Sequence, residues 1–252
     1  MEECCVCFKK TEKRTICNHV LCKSCFYQIK NYKCPICRGD LENDSMIQLR
    51  INPFFIKNIV DQTEELCLFS IKKNPDTIKY IRDQKEKYCK IAIKINPNSI
   101  KYIRDQKEEY CNYAISKNIS SLKYIRDQTS KICKYAIKLN GSSLKYIRNK
   151  TEKLCKLACK YGSSLNIPPI HYVENQTKEI CWIALKQSKN NIKFIRNPTE
   201  EMCIFSVTKI PYLINYMDNP TEKTCWTVLE KSKDNIRFIK NPTMEMQRYS
   251  MK

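Results

Sequence analysis

At 252 residues the chain has room for one or two ordinary domains, and three glycines are too few for the glycine-built turns of phosphate-binding loops. Hydrophobic residues at 42% and charged residues at 29% fit a packed core under a soluble surface and exclude a wholly disordered chain. The formal charge of +20 is uneven: residues 1–50 hold nine basic and six acidic side chains, leaving 37 and 20 for residues 51–252, net +17.

No apolar run reaches the length of a membrane span. The start Met1-Glu2-Glu3-Cys4 has neither the basic nor the apolar region of a signal peptide. The expected location is therefore the reducing interior of a cell, cytoplasm or nucleus, where 17 cysteines serve as metal ligands or buried thiols rather than disulfides.

Taking the chain in order, its first forty residues place cysteine and histidine in four pairs: Cys4 and Cys7, Cys17 and His19, Cys22 and Cys25, Cys34 and Cys37. A Cys-x-x-Cys turn lets two thiolates converge on one ion, and zinc takes four such donors. Eight ligands imply two zinc ions, and with four protein donors each the sites are structural, leaving no position for an activated water. A segment this short cannot bury enough apolar surface to fold alone, so the ions would hold it. Cys5 is a spare, because only Cys4 has the two-residue spacing to Cys7.

This pattern resembles the RING finger family, of the type with seven cysteines and one histidine. The resemblance implies a small two-zinc cross-brace domain over residues 1–38. In it Cys4, Cys7, Cys22 and Cys25 hold one ion, and Cys17, His19, Cys34 and Cys37 hold the other. It also implies a ubiquitin ligase that binds a ubiquitin-conjugating enzyme. Val6, Ile29 and Pro35 match the family's contact surface for that enzyme, with Ile29 standing where many active members have Trp. Arg38 matches the cationic linchpin between the conjugating enzyme and ubiquitin, a role suited to a planar, permanently charged donor fork. The competing reading makes Val6, Ile29 and Pro35 local packing and Arg38 a solvated charge.

Residues 39–51 turn polar and then carry the apolar pair Ile47 and Leu49, which reads as a linker. Beyond it a period is plain. Cys67, Cys89, Cys111, Cys133 and Cys155 are 22 apart, as are Cys181, Cys203 and Cys225, and four extra residues fall in the copy with Pro168-Pro169. With a last copy in which Gln247 replaces Cys, about nine 22-residue units fill residues 52–252. A fixed short period predicts an all-α solenoid of helical hairpins.

Within a unit, Asn74-Pro75 offers an N-cap and first-turn proline, with Ile78 and Ile81 on one face of a short first helix. A second helix is expected to start at Asn197-Pro198-Thr199-Glu200 and at Asp61-Gln62-Thr63-Glu64, with Cys89, Ala92 and Ile93 at helical spacing. The repeat cysteine reads as a small buried residue rather than a metal or redox thiol. Cys155 and Cys159 form no complete ligand set, and His171 has no ligand partner. Period and wording, with Ile-Lys-Tyr-Ile-Arg-Asp at 78–83 and 100–105, resemble an uncharacterised helical repeat family of giant DNA viruses and protists. That resemblance adds no activity. For a viral chain the compartment would be the host cell's.

The first helices carry i,i+3 cationic pairs: Lys79 and Arg82, Lys101 and Arg104, Lys123 and Arg126, Lys145 and Arg148, with a tyrosine inside each pair. This is a candidate basic ligand surface for a phosphate backbone or an acidic protein. The bland reading is that these charges are solvated and locally compensated. The functional expectation is thus a RING-type ubiquitin ligase, with the repeats recruiting a protein substrate. The alternative is a non-catalytic zinc-stabilised scaffold, or a nucleic-acid-binding protein using the basic repeats.

Overall fold

A computed structural model of the chain describes residues 2–11, 15, 17–29, 32–39, 41, 44–162 and 167–251. It divides into two compact units, Met1–Tyr110 and Cys111–Lys252.

In the first unit, β1 (Glu2–Glu3) pairs antiparallel with β2 (Lys10–Thr11), closing a hairpin around the Cys4–Cys7 turn. The short helix α1 (Lys23–Gln28) starts at Cys22, whose sulfur accepts the Cys25 amide at 3.5 Å. Next comes α2 (Ser45–Ile51), capped by Asp44, whose carboxylate accepts the Met46 amide at 2.9 Å. The stretch expected as a linker therefore contains a helix, and Met46, Ile47 and Leu49 are buried in it. Met46 and Ile47 join Cys4, Leu21, Phe26 and Leu41 in one core, against which Leu66 and Phe69 also pack. Arg50 fastens the arrangement by donating to the carbonyls of Phe26 and Ile29 at the C-terminal end of α1, both at 3.4 Å.

Thereafter short 3-10 helices alternate with α-helices. The α-helices of the first unit are α3 (Glu64–Lys73), α4 (Glu86–Ile95) and the start of α5 (Glu108–Lys117). They follow 3-10 segments Pro53–Asn58, Pro75–Tyr80 and Pro97–Tyr102. The second unit continues with α6 (Ser130–Leu139), α7 (Glu152–Tyr161), α8 (Lys178–Gln187), α9 (Glu200–Val207), α10 (Glu222–Lys231) and α11 (Met244–Met251). Nine 3-10/α pairs occur among the described residues. Within each unit, successive 3-10 segments pack on one another, as α3 does on α4 and α6 to α11 do in sequence.

The expected first helix is thus a 3-10 turn. The cause is visible at Asn74, whose side chain accepts the Asp76 amide at 3.0 Å while its carbonyl accepts the Thr77 amide at 3.1 Å. A second i→i+3 bond, from the Ile81 amide to the Ile78 carbonyl at 3.2 Å, ends the segment. Residues three apart eclipse in this geometry, so Ile78 and Ile81 are both buried. The α-helices begin two residues later than expected. Thr63 and Thr199, not Asp61 and Asn197, occupy the N-caps. Thr129, Thr151, Thr177 and Thr221 hold the same place, and each hydroxyl accepts an amide three residues on. The two preceding residues are spent in a turn, where the Thr63 amide donates back to the Asp61 carbonyl at 3.1 Å.

The irregular copy leaves its mark on Gly141. A Cβ there would lie 2.2 Å from the Gly162 carbonyl oxygen and 2.4 Å from that of Ala158. The chain leaves α7 through Gly162 with φ 66°, a left-handed conformation that favours glycine. Residues 163–166, part of the insertion, lie outside the described residues. No helix among the described residues is long and apolar enough to cross a membrane.

Candidate metal centre and its flanking surface

Two turns with the same construction supply half of the ligands. After Cys7 and after Cys37 stand Phe8 and Arg38, both left-handed, with φ 58° and 59°. Their amides donate to the carbonyls of Cys4 and Cys34 at 2.8 and 2.9 Å. The amides of Cys4 and Cys34 in turn donate to the carbonyls of Lys9 and Gly39, each at 2.9 Å. The chain so folds back that both thiols of a Cys-x-x-Cys face one point.

Cys22 and Cys25, at the start of α1, complete the first cluster with Cys4 and Cys7; their sulfurs all lie within 4.8 Å of one another. The Cys7 and Cys22 sulfurs are 3.4 Å apart. The second cluster joins Cys17, His19, Cys34 and Cys37 within the same limit. Here a tight turn brings Cys17 and His19 together. The Thr15 amide donates to the His19 carbonyl at 2.9 Å, and left-handed Asn18 (φ 64°) sits at its tip. His19 Nδ1 lies 3.4 Å from the Cys17 sulfur and 3.6 Å from that of Cys34.

Seven sulfurs and one imidazole in two fourfold sets fit a soft or borderline divalent metal, consistent with zinc. A tetrahedron of thiolates about 2.3 Å from a central ion has edges of about 3.7 Å, the scale of these separations. Hydrogen bonding and crowding pull the thiols in opposite directions. At Cys4, burial opposes ionisation, but amide hydrogen bonds from Cys22, Cys7 and Val6 outweigh it and lower the pKa to about 6. At Cys17, burial is likewise outweighed, by the Thr15 hydroxyl and His19, and the pKa again falls to about 6. Cys25 is pushed up to about 12, first by its hydrogen bond with the Cys7 thiol and then by burial. Four crowded thiols repel one another's charge, and a bound divalent ion removes that conflict. Cys5 is half-buried against the core and belongs to neither cluster.

Val6, Ile29, Pro35 and Arg38 line one shallow depression beside the clusters, together with Gln28 and Lys33. Val6 is 49% exposed, Pro35 and Arg38 are exposed, and Ile29 is half-buried at the end of α1. Sequence reasoning missed Gln28 and Lys33; their only signal was adjacency to Ile29 and Cys34.

The basic ladder splits by residue type. Each of several arginines reaches back one repeat to main-chain carbonyls. Arg82 donates to Ile59 at 3.0 Å and to Val60, and Arg104 donates to Ile81 at 2.9 Å and to Arg82 at 2.6 Å. In the second unit Arg148 does so to Ile125 and Arg126, and Arg196 to Val173 and Glu174. Arg126 is also held by an interaction of its own. The lysines lie over the tyrosines: Lys79 over Tyr80 at 4.7 Å, Lys101 over Tyr102 at 4.6 Å, Lys123 over Tyr124 at 4.7 Å and Lys145 over Tyr146 at 4.6 Å. Lys101 also meets Asp76 at 3.7 Å.

The eight repeat cysteines are all buried. Where a partner is recorded, the thiol donates to the carbonyl five residues back, as Cys89 does to Gln84 at 3.5 Å. Burial pushes the Cys67, Cys89 and Cys133 thiols up, which suits inert packing rather than reactivity. His171 is exposed and stacks edge-on against Tyr172 and Phe194. Comparison with protein-family models, curated proteins and solved structures finds no match for this chain.

Proposed function

We propose that the chain is a RING-type ubiquitin ligase whose N-terminal module binds a ubiquitin-conjugating enzyme and whose repeats, as a solenoid, hold a protein substrate. Two structural zinc ions, one on Cys4, Cys7, Cys22 and Cys25 and one on Cys17, His19, Cys34 and Cys37, would hold that module in shape. The observation that carries the proposal is the shared depression of Val6, Ile29, Pro35 and Arg38. Three apolar contacts surround the place where a partner loop would sit, and a guanidinium stands at its rim. No side chain here accepts ubiquitin. The module positions the loaded enzyme and orders its thioester for attack, which is catalysis by proximity. Half-buried Ile29 offers less contact area than the Trp of many relatives in the resembled family, so weaker recruitment is expected. A nucleic-acid reading draws less support, because the arginine forks are engaged with main-chain carbonyls.

Autoubiquitination across a panel of conjugating enzymes tests this. Arg38→Gly is the informative variant, since glycine accepts the left-handed backbone and the side chain with its guanidinium is lost without straining the turn. Loss of transfer in Arg38→Gly and in Val6→Ala, with zinc content unchanged, is the expected result. An inactive wild type throughout the panel, or two fully active variants, would overturn the proposal.

A further inference from the structure

The outer face of α6, α7 and α8 carries a lysine cluster that the sequence pattern on the 3-10 segments does not reveal. These three helices hold eight lysines against two glutamates. Both glutamates are taken by one residue, because Lys156 meets Glu152 at 2.9 Å and Glu179 at 2.6 Å. Lys178 meets Glu201 at 3.4 Å. The remaining six, Lys131, Lys134, Lys138, Lys153, Lys160 and Lys186, have no ion pair among the described residues. The neighbouring α9 opens with Glu200 and Glu201 and contains no lysine, so the excess charge of α6–α8 stops there.

Between α7 and α8 this cationic face has an apolar floor. Leu157 and Ile183 lie half-buried in a groove rimmed by Lys153, Lys160 and Lys186. On α6, half-buried Tyr135 stands at the same helical position as Leu157.

We infer that this groove docks an acidic, amphipathic protein segment, one that sets its apolar side chains on Leu157 and Ile183 and its carboxylates against Lys153, Lys160 and Lys186. Two features select this occupant. Unpaired lysines around a groove give long-range attraction for a negatively charged partner. The floor then rewards apolar side chains, which a nucleic-acid backbone lacks, and no aromatic ring lines the groove on which a base could stack. The inference concerns binding alone and stands whether or not the N-terminal module transfers ubiquitin.

The test uses the full metal-loaded chain and a fluorescent peptide of glutamate and leucine arranged so that the leucines fall on one helical face. The comparison probes are a shuffled peptide of the same composition, poly-glutamate and a single-stranded oligonucleotide. The amphipathic peptide is expected to bind most tightly and to weaken with salt. The K160E/K186E double variant should weaken it roughly tenfold, as expected for reversing two rim charges. Leu157→Ser should weaken it severalfold with little change in salt dependence. Circular dichroism of both variants verifies that the helices persist, and Lys153→Glu serves as a second rim variant should either fail to fold. Equal binding of poly-glutamate, preference for the oligonucleotide, no binding at low salt, or indifference to the rim variants would each overturn the inference.

Discussion

The side-chain oxygen of Gln84 accepts the backbone N–H of Arg104 at 2.9 Å, across 20 residues and one repeat. The same amide group donates to the carbonyls of Ile78 at 2.8 Å and Tyr102 at 3.0 Å, so one side chain satisfies three main-chain groups at the ends of two 3-10 segments. Gln62 repeats this with Ile56, Tyr80 and Arg82. In the second unit Gln128 and Gln176 do likewise. Gln84→Ala is expected to cost about 2–3 kcal/mol, since it strands main-chain groups as well as removing bonds. Amide hydrogen exchange at Arg104 should accelerate in the variant, and unchanged protection would show that water replaces the bridge at no cost.

Metal content offers a second check. The purified chain should carry two equivalents of zinc, one for each fourfold cluster. Cys22→Ser should reduce this to about one, and Cys34→Ser should do the same through the other cluster. Because structural zinc contributes an apparent ~10–16 kcal/mol in small domains, chelation should unfold the N-terminal module while leaving repeat helicity largely intact. Elemental analysis and circular dichroism measure both effects. A stoichiometry that stays at two in both variants would rule out these ligand sets.

Gly141→Ala is expected to destabilise the second unit by about 1–3 kcal/mol, the range for forcing atoms into a filled space. The new methyl would meet two carbonyl oxygens, of Gly162 and Ala158, and backbone cannot swing aside as a side-chain tip can. Thermal unfolding of residues 111–252 in the full chain, followed through Trp182 and Trp226 fluorescence, reads this directly.

Burial raises the Cys159 thiol from its ordinary value of 9.0 to about 12. A raised native pKa contributes stability that is complete below the unfolded thiol's value and is lost as pH rises through the folded one. Stability should therefore fall between about pH 9 and pH 12, and it should fall less steeply in Cys159→Ala. Denaturant melts at intervals across that window compare the two slopes. Parallel slopes would show that Cys159 does not govern the loss.

The two fourfold Cys/His clusters that could hold metal were legible because each pair is close in sequence and the chemistry needs particular atoms at particular spacings. The repeat was legible too, since Cys67, Cys89 and their successors recur at 22 residues. The threonine caps recurred just as openly, two residues beyond Asp61, Asp127, Asn149, Asn175, Asn197 and Asn219, with Lys85 in that place at α4, but an Asn-Pro pair imitates a helix start and hid them. Gln84 reads as an ordinary polar turn residue, and nothing local announces that two of its three partners lie in the next repeat.

By itself, then, the sequence determined the candidate ligand clusters, the period and the buried face, because those depend on residue type and spacing along one chain. Tertiary structure decided which charges remain available. Arg82 and Arg104 look like surface cations in a list of residues, yet their forks close on carbonyls a repeat away. Lys160 and Lys186 look no different, yet among the described residues they have no ion pair and stand around a groove floored by Leu157 and Ile183. Hydrogen bonding and ion pairing between repeats are properties of distance in space, and only the packed helices supply it.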